Sequence, residues 1–208
     1  MTFDEETTMG SAVAESNDEH QLRADVYRLL GALLASPPKA ELLNIIKNIE
    51  VSDALDDDTL ISFWRALKLA AQQAQPAQLE DEYFNLFIGL GKGELSPYAS
   101  WYLTGFLMEK PLAELRTELS RLGFARQNKV SEPEDHVAAV CEVMSVIIAE
   151  SELSFEKEKL FFTKHISPWI GRFFNDLYHA QSATFYRPVG LLGKQFIDIE
   201  QRYFSMPV

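Results

Sequence analysis

The sequence predicts an all-α protein, a helical bundle of about eight to ten helices in two closely packed subdomains. Three observations carry this. Apolar residues recur three and four positions apart in segment after segment. Prolines and glycines interrupt these segments at helix-length intervals. No stretch alternates apolar and polar residues as a half-buried strand would. With 208 residues, 47% of them hydrophobic and 12% aromatic, the chain can bury a substantial core.

The first segment, MTFDEETTMGSAVAESNDE, has six acidic and no basic residues before His20 and lacks a signal-peptide pattern. It is expected to be a disordered acidic tail, residues 1–19. A first helix follows, with Leu22, Val26, Leu29, Leu30, Leu33 and Leu34 on one stripe. Ser36-Pro37-Pro38 stops it. Leu42, Leu43, Ile46 and Ile49 repeat the pattern. Asp56, Asp57 and Asp58 precede a third helix with Leu60, Ile61, Trp64 and Leu67, where they suit the positive end of the helix dipole. Pro76 opens a fourth helix carrying Leu79, Tyr83, Leu86 and Phe87, which ends in GLGKG, 89–93. SPYASWYL, 96–103, is a turn leading into a short aromatic helix. Pro111 begins the next helix, with Leu112, Leu115, Leu119 and Leu122, and Gly123 closes it.

Residues 124–131, FARQNKVS, show no periodicity and are the expected hinge. They separate an N-terminal helical subdomain, 20–123, from a C-terminal one, 132–208. Three more helices are expected, near 132–150, 154–180 (broken at Ser167-Pro168) and 185–204.

Charge narrows the function. There are 31 Asp+Glu against 19 Lys+Arg, a net charge of −12. A phosphate backbone needs a basic face, so nucleic acid is an unfavourable partner. Anionic membrane is disfavoured for the same reason, and no apolar run is long enough to span a bilayer. A basic peptide would be attracted. Cys141, the one cysteine, leaves no internal disulfide and no cysteine-based zinc site, and it falls in an apolar helical pattern. GLGKG fails as a P-loop, because Gly93 follows Lys92 and a helix precedes it. His20, His136, His165 and His179 show no metal-ligand spacing.

SEPEDH, 131–136, is the stretch with surplus chemistry. Ser131 as N-cap, Pro133 in the first turn and Glu134 at the third position form a capping-box pattern. Val137, Val140, Cys141, Met144 and Ile148 make the apolar stripe of that helix. Asp135 then points away from the stripe and His136 lies at its flank beside Glu132. Three readings stay open for this cluster. It could do general acid/base work, as in a nucleotide hydrolase. Its carboxylates could receive guanidinium groups. It could be only a solvated helix start on a scaffold.

Two longer stretches carry a resemblance. EYFNLFIGLGKGELSPYASWYL, 82–103, and EPEDHVAAVCEVM, 132–144, resemble the two signatures of the TorD/DmsD-like chaperones for redox enzymes. FFTKHISPWIGRFFNDL, 161–177, is similar to their C-terminal helical segment. The likeness runs from about residue 20 to 205 in the family's order. It implies a cytoplasmic, all-helical, non-catalytic protein that binds the twin-arginine leader and apo-form of a molybdenum-cofactor oxidoreductase. It further implies help with cofactor insertion, export delayed until maturation, and a monomer or a domain-swapped homodimer. No tightly held cofactor is implied; weak GTP binding is associated with the family but finds no independent support in these residues. On this resemblance Asp135 and His136 are the first recognition candidates, with Glu132 and Glu134 as further acceptors for the guanidiniums. Pro97, Tyr98 and Ser100 would shape the same face, and Phe87, Tyr98, Trp101 and Tyr102 are the aromatics available to a groove for the apolar part of the leader.

Overall fold

The structure is a computed structural model that describes residues 5–51, 59–125, 132–150 and 154–206, by backbone alone at 5–17 and 59–60. Ten α-helices occur among these residues and no strand. They are α1 Glu5–Ala35, α2 Ala40–Lys47, α3 Thr59–Gln73, α4 Pro76–Tyr83, α5 Ala99–Thr104, α6 Lys110–Arg121, α7 Val137–Ala149, α8 Phe155–Phe161, α9 Ile170–His179 and α10 Tyr186–Ser205.

Most boundaries follow the chemistry of the ends. Pro76 and Pro111 sit in first turns, where a missing amide hydrogen costs nothing. Gly123 lies past the end of α6 at φ 83°, as a left-handed closing residue. The break expected at Ser167-Pro168 separates α8 from α9, and a π-turn, Phe162–Ile166, leads into it. A second π-turn, Phe84–Ile88, ends α4.

The sequence left residues 1–19 as a disordered tail, but α1 already starts at Glu5. The segment holds no proline, and Glu5 and Glu6 favour a helix N-terminus. Asp56, Asp57 and Asp58, Ser131 and most of the expected hinge lie outside the described residues.

One core cluster draws on both sides of the 124–131 segment, from Ala24 to Phe204. Trp169, Tyr27, Tyr186, Phe161, Phe173 and Phe174 are fully buried in it. Helix α1 packs on α7 through Gly31, where a Cβ would meet the Ala138 carbonyl at 3.2 Å. The C-terminal carbonyls of α1 lack helical partners. Tyr186 donates to Leu33 O at 2.9 Å and Tyr83 to Leu34 O at 3.2 Å, so two core tyrosines close that end.

Two glycines of α10 lie against α9 with no room for a Cβ. A Cβ on Gly190 would stand 2.6 Å from the Tyr178 amide nitrogen. On Gly193 it would lie 2.4 Å from the Phe174 ring. Backbone cannot yield as a side chain can. Gly190→Ala is therefore expected to cost about 1–3 kcal/mol by overpacking, read as a lowered urea midpoint.

Candidate functional site

The two motif regions meet in space. Tyr98 and His136 pair as an isolated antiparallel bridge. The Ala99 amide donates to Asp135 O at 2.9 Å, and the Val137 amide donates to Pro97 O at 2.8 Å. This short exchange joins the start of α5 to the start of α7.

Asp135 locks the joint. Its Oδ2 accepts from the Ser100 amide at 2.9 Å and the Ser100 hydroxyl at 2.5 Å. An anionic acceptor thus satisfies an orphan amide in the first turn of α5. Asp135 is 1% exposed and Ser100 0%, and the Asp135 Oδ1 has no hydrogen-bond partner.

These positions correct the helical-wheel expectation. Helix α7 starts at Val137, not near 132, and its N-cap is His136, with φ −65° and ψ 137°. The His136 Nδ1 accepts from the Ala138 amide at 3.2 Å. The bridge to Tyr98 holds residues 135 and 136 out of helical geometry, so the periodicity of α7 says nothing about where Asp135 points. It points inward. The capping box expected of Ser131 and Glu134 falls on a residue outside the described ones, and Arg116 Nε donates to Glu134 Oε2 at 2.9 Å. Burial lowers the His136 pKa, opposed by the nearby Glu132 and Asp135 charges. A neutral imidazole suits a cap that needs a lone pair on Nδ1.

Glu132 is the exposed carboxylate of the group. The Tyr98 hydroxyl donates to its Oε2 at 2.5 Å, and the Tyr98 ring meets His136 edge-on with centroids 5.1 Å apart. Burial, together with that carboxylate, raises the Tyr98 pKa. Pro97, Tyr98, Ser100, Glu132, Glu134, Asp135 and His136 thus form one assembly.

The other three candidates do not join it. Phe87 packs edge-on against Tyr83 and Tyr186, at 4.9 and 5.4 Å. Lys92 Nζ sits 4.0 Å above the Trp101 ring. Tyr102 donates to Asp176 at 3.0 Å and leans on Trp169. Trp101 and Tyr102 line a polar cleft of about 560 Å³ with Arg172, Asn175, Asp176 and Lys194.

The GLGKG turn is occupied by its own backbone. The Gly89 amide donates to Phe84 O, and Glu94 and Leu95 donate to Asn85 O and Leu86 O. A Cβ on Gly89, at φ 62°, would stand 2.1 Å from Lys92 O. Beyond it, Glu94 accepts from the Gln181 and Ser182 amides, and Glu82 from the Thr184, Phe185 and Tyr186 amides at the start of α10. Burial works to raise the Glu94 carboxyl, but the two amides outweigh it and hold it below its ordinary range. His165 is half-buried against Phe161, whereas His179 is exposed. Cys141 is fully buried, and burial pushes its thiol up to about 12. Among the described residues no group of His, Cys, Asp and Glu could hold a metal, and no helix is long and apolar enough to cross a membrane.

An apolar groove of about 790 Å³ lies between α1, α2, α3 and α10, and none of the ten candidates lines it. Its walls include Leu22, Leu29, Leu42, Ile45, Trp64 and Phe196. The apolar stripe drawn on α1 is therefore shared by two partners: Leu30, Leu33 and Leu34 enter the core, while Leu22, 64% exposed, faces the groove. A stripe that wide was the available signal.

At the groove wall Arg23 is buried between two acids. Its Nε donates to Glu200 Oε1 at 2.7 Å and its Nη2 to Glu158 Oε1 at 2.5 Å. The guanidinium also stacks 4.1 Å from the centroid of the Tyr203 ring. Sequence periodicity treats Arg23 as one charged residue within an apolar stripe, with nothing to indicate acids 135 and 177 positions away.

Fold and joint together define an all-helical protein whose two signature segments are built into each other. In fold it is similar to a putative redox enzyme maturation protein from Archaeoglobus fulgidus, with a TM-score of 0.53, 19% identity, and 85% of this chain and 94% of that one covered. The family model described as nitrate reductase delta subunit matches residues 53–175. The chain belongs to that family, the TorD/DmsD group of redox-enzyme maturation chaperones. Its relatives include the chaperone protein TorD of Aliivibrio fischeri, 25% identical with 89% of this chain and 96% of the relative covered. The same protein from Vibrio atlanticus is 23% identical over the same shares.

Proposed function

We propose that this chain is a chaperone that binds the twin-arginine leader and apo-form of a molybdenum-cofactor oxidoreductase in the cytoplasm. It assists cofactor insertion and delays export until the client is mature. It works by binding, not by turnover. The observation that carries the reading is the union of the family's two signatures in one joint, which leaves a solvent-facing carboxylate at Glu132 beside Tyr98. A guanidinium pairs well with such an acceptor. The net charge of −12 draws a basic leader toward the protein at low and moderate salt. Asp135 and His136 contribute by holding the frame, since both are buried.

Calorimetric titration with a twin-arginine leader peptide and its double-alanine counterpart tests this. The counterpart is expected to bind at least about tenfold more weakly, roughly 1.4 kcal/mol. Glu132→Gln should narrow that difference. Equal affinity for the two peptides would end the reading.

A further inference from the structure

The joint accounts for arginines and offers nothing for the apolar part of a leader. The groove between α1, α2, α3 and α10 has the opposite character. Leu22 and Ile45 stand at it 64% and 61% exposed, a large apolar surface for a folded chain to leave open. Glu19, Asp25 and Glu50 also line it, against Arg28, which is paired with Asp25. Arg23 lines it too, with its guanidinium held by Glu200 and Glu158.

We infer that this groove is a second binding site on the same protein, taking a helical apolar peptide segment with a basic flank. The inference rests on the leader-binding reading and assigns the apolar stretch of that leader to this site. Length and charge agree. The α1 wall from Glu19 to Ala32 is about 20 Å long at 1.5 Å per residue. The apolar region of a leader, about 7–15 residues, spans roughly 10–22 Å as a helix. Such a helix lies in a groove by its apolar face, and the excess of acids along it, Glu19, Asp25 and Glu50 against Arg28, favours a peptide of net positive charge.

The probe is a synthetic peptide of two arginines followed by twelve leucines and alanines, compared with one in which glutamines replace the arginines. Each is titrated against the full chain and against Leu22→Glu and Ile45→Glu. Both changes are at exposed positions, and thermal melts check that the variants are folded. Both variants are expected to bind both peptides at least tenfold more weakly, while Glu132→Gln weakens only the arginine peptide. Affinity for the arginine-free peptide that is undetectable in the parent, or unchanged within twofold in both variants, overturns the inference. Failure of the two readings separates cleanly. Groove variants that lose binding while the arginines make no difference remove the leader reading alone. Arginine dependence with silent groove variants removes this site alone.

Discussion

Arg23→Ala is expected to destabilise the protein by about 3–5 kcal/mol near neutral pH, because it leaves two buried carboxylates without their shared cation. Arg23, Glu158 and Glu200 are 6%, 5% and 1% exposed. Burial already raises the Glu200 carboxyl above its ordinary range, even with the Arg23 hydrogen bond and charge opposing it. Removing Arg23 takes that opposition away, so the folded-state pKa rises further. A carboxyl whose folded pKa exceeds its unfolded one costs stability while ionised. That cost is full above the folded pKa and disappears as pH falls below the unfolded value. The deficit of Arg23→Ala relative to the parent should therefore shrink between neutral pH and about pH 4.5. Urea melts at a series of pH values read this directly. A deficit that is constant, or that grows on acidification, would show that Glu200 does not carry the penalty. Replacing all three residues with apolar ones of similar size should recover most of the loss, since a buried ion network is not in itself stabilising.

The second large effect concerns Asp135. Asp135→Ala strands the buried Ser100 amide and hydroxyl, at a cost of about 1–3 kcal/mol per unsatisfied buried group. It also loosens the contact between the starts of α5 and α7. Stability and leader affinity should fall together. A residue that only touched the ligand would lose affinity with its melting point unchanged, which is the behaviour expected of Glu132→Gln. Comparing the two variants by thermal melt and by peptide titration separates the frame from the contact surface. An Asp135→Ala protein as stable as the parent would refute the joint.

Much of the architecture was legible because it is local. Three-and-four spacing, Pro76, Pro111, Gly123 and the Ser167-Pro168 break act over one or two turns, and helices form where they indicate. Local rules failed where a distant partner set the backbone. SEPEDH has the composition of a capped helix start, yet pairing with Pro97 and Ala99, some 40 positions earlier, delays the helix to Val137 and turns Asp135 inward. The aromatics of SPYASWYL were legible as a cluster but not as a division. Tyr98 goes to the joint, while Trp101 and Tyr102 go to a polar cleft.

By itself the sequence determined the helical class, the order of the helices, the acidic surface and the two segments that mark the family. Each depends on residue type and near-neighbour spacing alone. The tertiary structure decided which carboxylate is a strut and which faces solvent, which leucines of α1 enter the core and which line a groove, and that Arg23 has two acids. Desolvation and hydrogen-bond matching act between residues that are distant along the chain, and they come into being only when the helices pack.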